Sequence, residues 1–235
     1  MVTREKLTAA LSMLILLLTT ALFAGCAASH AHYQSMSTAV SQYTHFAREN
    51  LQPDFRRAGV SYPPKRMALL AYKRSRRLQL WARDSGAWHY IKTFPILAAS
   101  GGPGPKLHNH DHQVPEGIYN IVGFNPDSRF HLSMELNYPN SFDRYHAHLD
   151  RRTNLGNQIF IHGSHYSIGC IAIGNDAINQ LFVLSYLVGL EHIKVVIAPD
   201  DLRYYKPVYG RVHPRWLAQL YARIKTALSP FKGHA

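Results

Sequence analysis

A histidine and a cysteine eight residues apart, His162 and Cys170 in the run Ile161-His162-Gly163-Ser164-His165-Tyr166-Ser167-Ile168-Gly169-Cys170, are the side chains here best suited to chemistry. A free thiol, with pKa about 8.5, is mostly protonated at neutral pH until a neighbouring imidazole takes or shares its proton. The pair therefore points to attack on a carbonyl, with Cys170 as nucleophile and His162 as base. An oxyanion forms in such an attack, and the backbone amides of Gly169 and Cys170, turned by the glycine, are the expected donors to it. His165 is a second imidazole in the same run; the His-Gly context favours His162.

Folding must bring these groups together. Residues 158–162 read as a buried strand, 163–169 as a tight loop and 170–173 as the next extended piece. After them Asn175 can cap a helix over 175–188 with Asp176 in its first turn, and 192–198 reads as a buried last strand. Upstream, 67–72 and 78–83 read as a hairpin around Lys73-Arg74-Ser75-Arg76, followed by strands near 88–97, 117–124 and 131–137. Residues 98–116, with Gly101-Gly102-Pro103-Gly104-Pro105 and then His108, His110 and His112, form a long loop, and loops of that length are commonly functional. The polar, aromatic stretch 138–156 reads as irregular and as a border of the substrate groove. Helical segments over 35–57 and a basic amphipathic helix over 214–228 flank a mostly β, α+β domain with one buried central helix.

His-Gly followed by Ser-x-Gly-Cys resembles the L,D-transpeptidase catalytic domain (YkuD-type), and the compact spacing with Gly-Cys-x-Ala, Asp176 and Ile178 is most similar to its YafK-like subgroup. A second segment, Asp111-His112-Gln113-Val114-Pro115-Glu116-Gly117-Ile118-Tyr119, resembles the family's Asp-x-x-Thr-Pro-Glu-Gly-x-Tyr, with Val114 in place of Thr. Two motifs in the correct order are far more specific than either alone. The resemblance covers residues 66 to 199 and implies a YkuD-like β-sandwich or barrel. It also implies a thioester on Cys170 made with a peptidoglycan stem peptide, at a bond involving meso-diaminopimelate. By the same analogy the Gly163 carbonyl orients His162 and Ser167 shapes the turn at Gly169. Asp111, Pro115, Glu116, Tyr119 and Tyr166 belong to the substrate side, and no cofactor or metal is expected.

The larger branch of the family carries Ser-His-Gly-Cys or Ser-Arg-Gly-Cys followed by Ile-Arg, whereas Ile168 precedes Gly169 here and Ala172 stands at the arginine position. The nucleophile is kept and a substrate-facing charge is not. Three functions stay open: transfer of the acyl group to an amine, hydrolysis of the same thioester by water, and non-catalytic wall binding by a lipoprotein. A zinc enzyme built on His108, His110 and His112 is a fourth possibility, against which stand poor ligand spacing and the place Asp111 already has in the family motif.

At 235 residues the chain holds one sizeable domain with short extensions. Residues 1–26 read as an export signal: Arg4 and Lys6, an apolar run, then Ala24-Gly25-Cys26, where the cysteine resembles a lipobox. Ordinary cleavage, or an uncleaved anchor helix, are the competing readings. The expected divisions are thus 1–26, a helical extension 27–64, the catalytic domain 65–199 and a basic extension 200–235, in a periplasmic or cell-envelope protein anchored through Cys26. Export leaves Cys170 alone in an oxidising compartment, which favours a reactive thiol over a structural one. A net charge of +12 favours polyanionic partners. With export and no nucleic-acid motif, that partner is expected to be the carboxylate-rich wall, or a lipoprotein linked to it, and not nucleic acid.

Overall fold

The computed structural model describes residues 34–209 and 213–233. The expected leader and its Cys26 lie outside the described residues. The most apolar strands sit at the centre: β1 (Arg66–Tyr72) runs parallel to β8 (Ile193–Ala198) in the middle of an eight-stranded mixed sheet. Their near-continuous apolar runs follow from burial on both faces. Met67, Leu69, Ala71, Val195 and Ile197 enter one core; Ala68, Leu70, Tyr72, Val196 and Ala198 enter the other.

Strand order is β3-β2-β1-β8-β4-β5-β6-β7, with β2 (Arg77–Arg83), β3 (His89–Pro95), β4 (Gly117–Ser128), β5 (His131–Leu136), β6 (Phe160–His162) and β7 (Ile171–Ala172). Strand β4 is the corner: its first four residues pair with β8, and the remainder, after a register shift between Ile121 and Gly123, pairs with β5. Bulges of this kind bend a strand and let one sheet fold over itself. The two ends of the sheet then meet, because Ala98, just past β3, bridges to Ala172 of β7. This is the closed, sandwich-like arrangement that the resemblance implies.

Helix α1 (Met36–Ala58) starts where Ser35 accepts a hydrogen bond from the Thr38 N–H and ends at Gly59, whose left-handed backbone (φ 69°) favours glycine. It puts Ala39, Leu51 and Phe55 into the first core. Helix α3 (Asn175–Val188) is the buried central helix, with ten of its fourteen residues inside. Helix α4 (Leu217–Leu228) lays Leu217, Leu220, Tyr221, Ile224 and Leu228 on the other face of the sheet. Both flanking helices are therefore core material and not appendages, which identifies the amphipathic face of residues 214–228 as a packing face.

Two expectations fail locally. Residues 138–156 are not irregular throughout, since α2 (Ser141–Leu149) forms there behind a reciprocal cap: Asn140 Oδ1 accepts from the Asp143 N–H and Asp143 Oδ2 from the Asn140 N–H. An Asn-x-x-Asp pair does the work usually read from Ser/Thr-x-x-Glu. Asn175, in turn, does not cap α3. Gly174 holds the cap position with no side-chain bond, and Asn175 Oδ1 accepts instead from the Ser164 N–H at 2.8 Å. No helix among the described residues is long and apolar enough to cross a membrane.

Candidate active site

The short strands β6 and β7 run parallel, with Ile161 beside Ile171 and His162 beside Ala172. Extended one residue back, this register sets Cys170 beside Phe160, two positions from His162 on the neighbouring strand. Diagonal neighbours on paired strands have Cα atoms about 7–8 Å apart, a span that side chains can close.

His162 is 1% exposed, and its ring lies on that of Phe130 at 4.7 Å between centroids. Its Nδ1 is 2.6 Å from the Gly163 carbonyl oxygen. A carbonyl only accepts, so Nδ1 carries the hydrogen and Nε2 presents the lone pair. Burial pushes this imidazole below its ordinary pKa, with the Gly163 carbonyl opposing, so the ring is neutral at pH 7. Gly163 has to be glycine for reasons of space: a Cβ there would sit 2.7 Å from both Asn175 Oδ1 and the Phe130 carbonyl oxygen.

Cys170 is a free thiol. Its Sγ accepts from the Phe160 N–H at 3.4 Å and faces the Gln158 carbonyl at 3.8 Å. Burial pushes the thiol above its ordinary pKa; the Phe160 N–H and the Lys106 ammonium pull the other way without reversing it. The expected sharing of the thiol proton with an imidazole is therefore corrected for the resting protein: among the described residues no hydrogen bond joins Cys170 to His162, and the thiol keeps its proton. Base–nucleophile contacts are often loose in unliganded sites and tighten around substrate.

The oxyanion donors also need correction. The Gly169 N–H donates to Ser100 Oγ at 2.6 Å and the Cys170 N–H to Ser167 Oγ at 2.9 Å, so both backbone amides are already engaged. Ser167 thus does brace the turn, which Gly169 makes at φ 93°. Ser100 was not foreseen. It arrives because the Leu97 and Ala98 N–H groups donate to the Ala172 carbonyl and the Ala172 N–H returns a bond to Ala98; in this antiparallel register Ser100 falls opposite Cys170.

Of the five residues expected on the substrate side, three are inside the protein. Pro115 is buried, Glu116 is 0% exposed, and Tyr119 is buried with its hydroxyl donating to the Glu116 carbonyl and to Asp143. They support the site from beneath. Glu116 Oε1 lies 3.1 Å from Lys73 Nζ, which also donates to the Gly104 and Val114 carbonyls and so clamps the long loop to the end of β1. Lys73, the first residue of the hairpin run Lys73-Arg74-Ser75-Arg76, is thereby a buried cation. Asp111 is closer to the surface, where its carboxylate gathers the Leu107, His108 and Gln113 N–H groups and pairs with Lys106 at 2.6 Å. Tyr166 is 68% exposed at the tip of the loop between β6 and β7, its ring against His165.

Lys106, Asn109, His110, His112, Gln158, Ile168 and Gly169 surround Cys170 in a cleft of 270 Å³. Lys106 is a second residue that sequence reasoning missed; its position five residues before the motif Asp111 was the available signal. His108, His110 and His112 are exposed, and among the described residues no three His, Cys, Asp or Glu side chains are placed to hold a metal ion. A larger groove of 840 Å³, bordered by Lys92, Arg129, His131, Ser164 and His165, includes neither Cys170 nor His162.

The β6–β7 frame thus holds the Cys170 thiol one diagonal step from the buried, carbonyl-oriented imidazole of His162. Residues 66–197 match the L,D-transpeptidase catalytic domain (YkuD), and the chain belongs to that family. Over 113 residues it is 33% identical to YafK of Escherichia coli strain K12, an L,D-transpeptidase by provisional name, across 47% of this chain and 44% of that one. The chain thus spans 44% of the length of the curated relatives it matches. Solved structures similar to it include Bd1075 of Bdellovibrio bacteriovorus, 22% identical over 73% of this chain and 57% of that one with a TM-score of 0.43. Another is the helical cell shape determining protein Pgp2 of Campylobacter jejuni, 17% identical over 71% and 70% of the two chains with a TM-score of 0.45.

Proposed function

We propose that this chain is an exported peptidoglycan L,D-transpeptidase that works through a thioester on Cys170. The observation that carries the reading is the Nδ1 bond from His162 to the Gly163 carbonyl, because it leaves Nε2 as the free base one diagonal step from the thiol. With thiol and imidazole both neutral at rest, the proton moves during attack. Cys170 Sγ bonds to the carbonyl carbon of a stem peptide, the carbonyl π pair moves to oxygen, and the thiol proton passes to His162 Nε2. On collapse the C–N bond breaks, and His162 returns the proton to the leaving amine. An acceptor amine then attacks the thioester and regenerates the thiol, with the product a cross-link or a lipoprotein joined to the wall.

Hydrolysis is the second reading, and one observation favours it. The Lys106 ammonium on the wall of the Cys170 cleft is already paired with Asp111 and so is not free to hold an acceptor carboxylate, which lets water compete well for the thioester. Incubation with defined muropeptides, followed by mass analysis of products, decides between them. New amide-linked products that vanish in Cys170→Ala are expected; cleavage alone at every acceptor concentration replaces transfer with hydrolysis, and undiminished activity in Cys170→Ala removes the mechanism. Location in the envelope through acylation of Cys26 belongs to the same proposal. Cys26→Ala is expected to shift the protein from membrane to soluble periplasmic fractions, and an unprocessed N-terminus in the wild type would sink the anchor.

A further inference from the structure

The amides expected to stabilise an oxyanion are occupied, and what occupies one of them is the half-buried hydroxyl of Ser100, sixty-nine residues before Gly169. A hydroxyl that accepts an N–H still has its own hydrogen to give. Among the described residues Ser100 Oγ has the Gly169 N–H as its hydrogen-bond partner and no acceptor for that hydrogen. The bridge between Ala98 and Ala172 holds Ser100 opposite the nucleophile, and the Val114 N–H donates to the Ser100 carbonyl at 3.3 Å, so the residue is tied at both ends. Gly169 is held too, at φ 93° and next to Cys170.

We propose that Ser100 is a catalytic residue whose hydroxyl donates to the oxyanion formed at Cys170. The short bond from the Gly169 N–H polarises the hydroxyl, and chains of hydrogen bonds strengthen one another in a low-dielectric site. As Sγ bonds to the carbonyl carbon and the π pair moves to oxygen, the Ser100 O–H turns to that oxygen; when the tetrahedral intermediate collapses, the bond relaxes and no proton has left Ser100. The site thus takes an acyl donor with a carbonyl, ester or amide, and the stabilising group comes from the segment after β3 and not from the nucleophile turn.

The proposal rests on Cys170 being an acyl-forming nucleophile, and its test separates the two. The full chain is treated with p-nitrophenyl acetate, whose attack passes through an oxyanion, and with iodoacetamide, whose displacement at carbon does not. In Ser100→Ala, acylation of Cys170 is expected to fall about 10²-fold, the typical loss for one oxyanion donor, while alkylation stays within about twofold of wild type and the melting temperature holds. Ser100→Thr, which keeps a hydroxyl, is expected to retain most of the ester rate. An unchanged ester rate in Ser100→Ala, a parallel fall in both rates, or a Thr variant as slow as Ala overturns the proposal. Wild-type protein that is acylated by the ester but never by muropeptides would remove the peptidoglycan reading and leave Ser100 where it is.

Discussion

Asp111 and Glu116 belong to one motif, sit five residues apart and each pair with a buried lysine, yet Glu116 is sealed inside and Asp111 is partly exposed. Glu116 and Lys73 are both sealed inside the protein at 3.1 Å, beneath the long loop. Lys106, on the wall of the Cys170 cleft, meets Asp111 at 2.6 Å, where burial of the carboxyl is outweighed by N–H donors and the Lys106 ammonium that keep it below the usual carboxylate range. The lesson is that a motif carboxylate acquires its role from what its partner faces. The Glu116 pair fixes the position of a loop; the Asp111 pair places a cation near a thiol.

The largest effect should come from breaking the deeper pair. Glu116→Ala leaves Lys73 buried without its counter-charge, and a loss of about 3–5 kcal/mol in denaturant unfolding is expected. A loss under about 1 kcal/mol would show that the two pairs are equivalent and end the contrast.

Asp143 sharpens the comparison as a buried carboxylate with no lysine of its own. Burial pushes its pKa up to about 6, against the Asn140 N–H, the Tyr119 hydroxyl and two more distant arginines. Between the ordinary value and about 6 the unfolded chain is already ionised while the folded one keeps its proton, so stability is full below that window and declines as pH rises through it. On the order of 3 kcal/mol should be lost by the wild type between pH 4 and pH 7 from this group. Asp143→Asn should flatten that part of the stability–pH curve, and an unaltered slope would refute the assignment.

The smallest expected effect is at the cleft. Lys106→Met removes an ammonium that lowers the thiol's pKa, so iodoacetamide should label Cys170 at pH 8 about two- to fivefold more slowly. Stability should move less than in Glu116→Ala, because Asp111 keeps three backbone N–H donors. Faster labelling would mean that Lys106 does not act on the thiol through charge.

Elements whose apolar pattern is written locally were legible: β1, β2, β8 and the central helix α3 fall where periodicity and turn residues put them. His162, Gly163, Ser167 and Cys170 were legible as a local run, because one short loop carries them all. Ser100 was not, since its place depends on a two-bond bridge between segments more than seventy residues apart, and no local signal encodes such a pairing. Lys73 and Lys106 were hidden for a related reason: lysine is almost never fully buried unless paired, and the pairing is tertiary. Pro115, Glu116 and Tyr119 were assigned to the substrate by motif, whereas their burial follows from the β4–β8 pairing that begins at Gly117.

Strand β7 is two residues long and is held on one side by the three-residue β6, on the other by a single bridge. Edges with so few bonds open at a free energy well below that of global unfolding. The frame around Cys170 is therefore expected to have its own, lower melting point. As this seam parts, Ser100 leaves Gly169 and the thiol loses its frame, so warming should silence the proposed activity reversibly before circular dichroism registers any loss of fold.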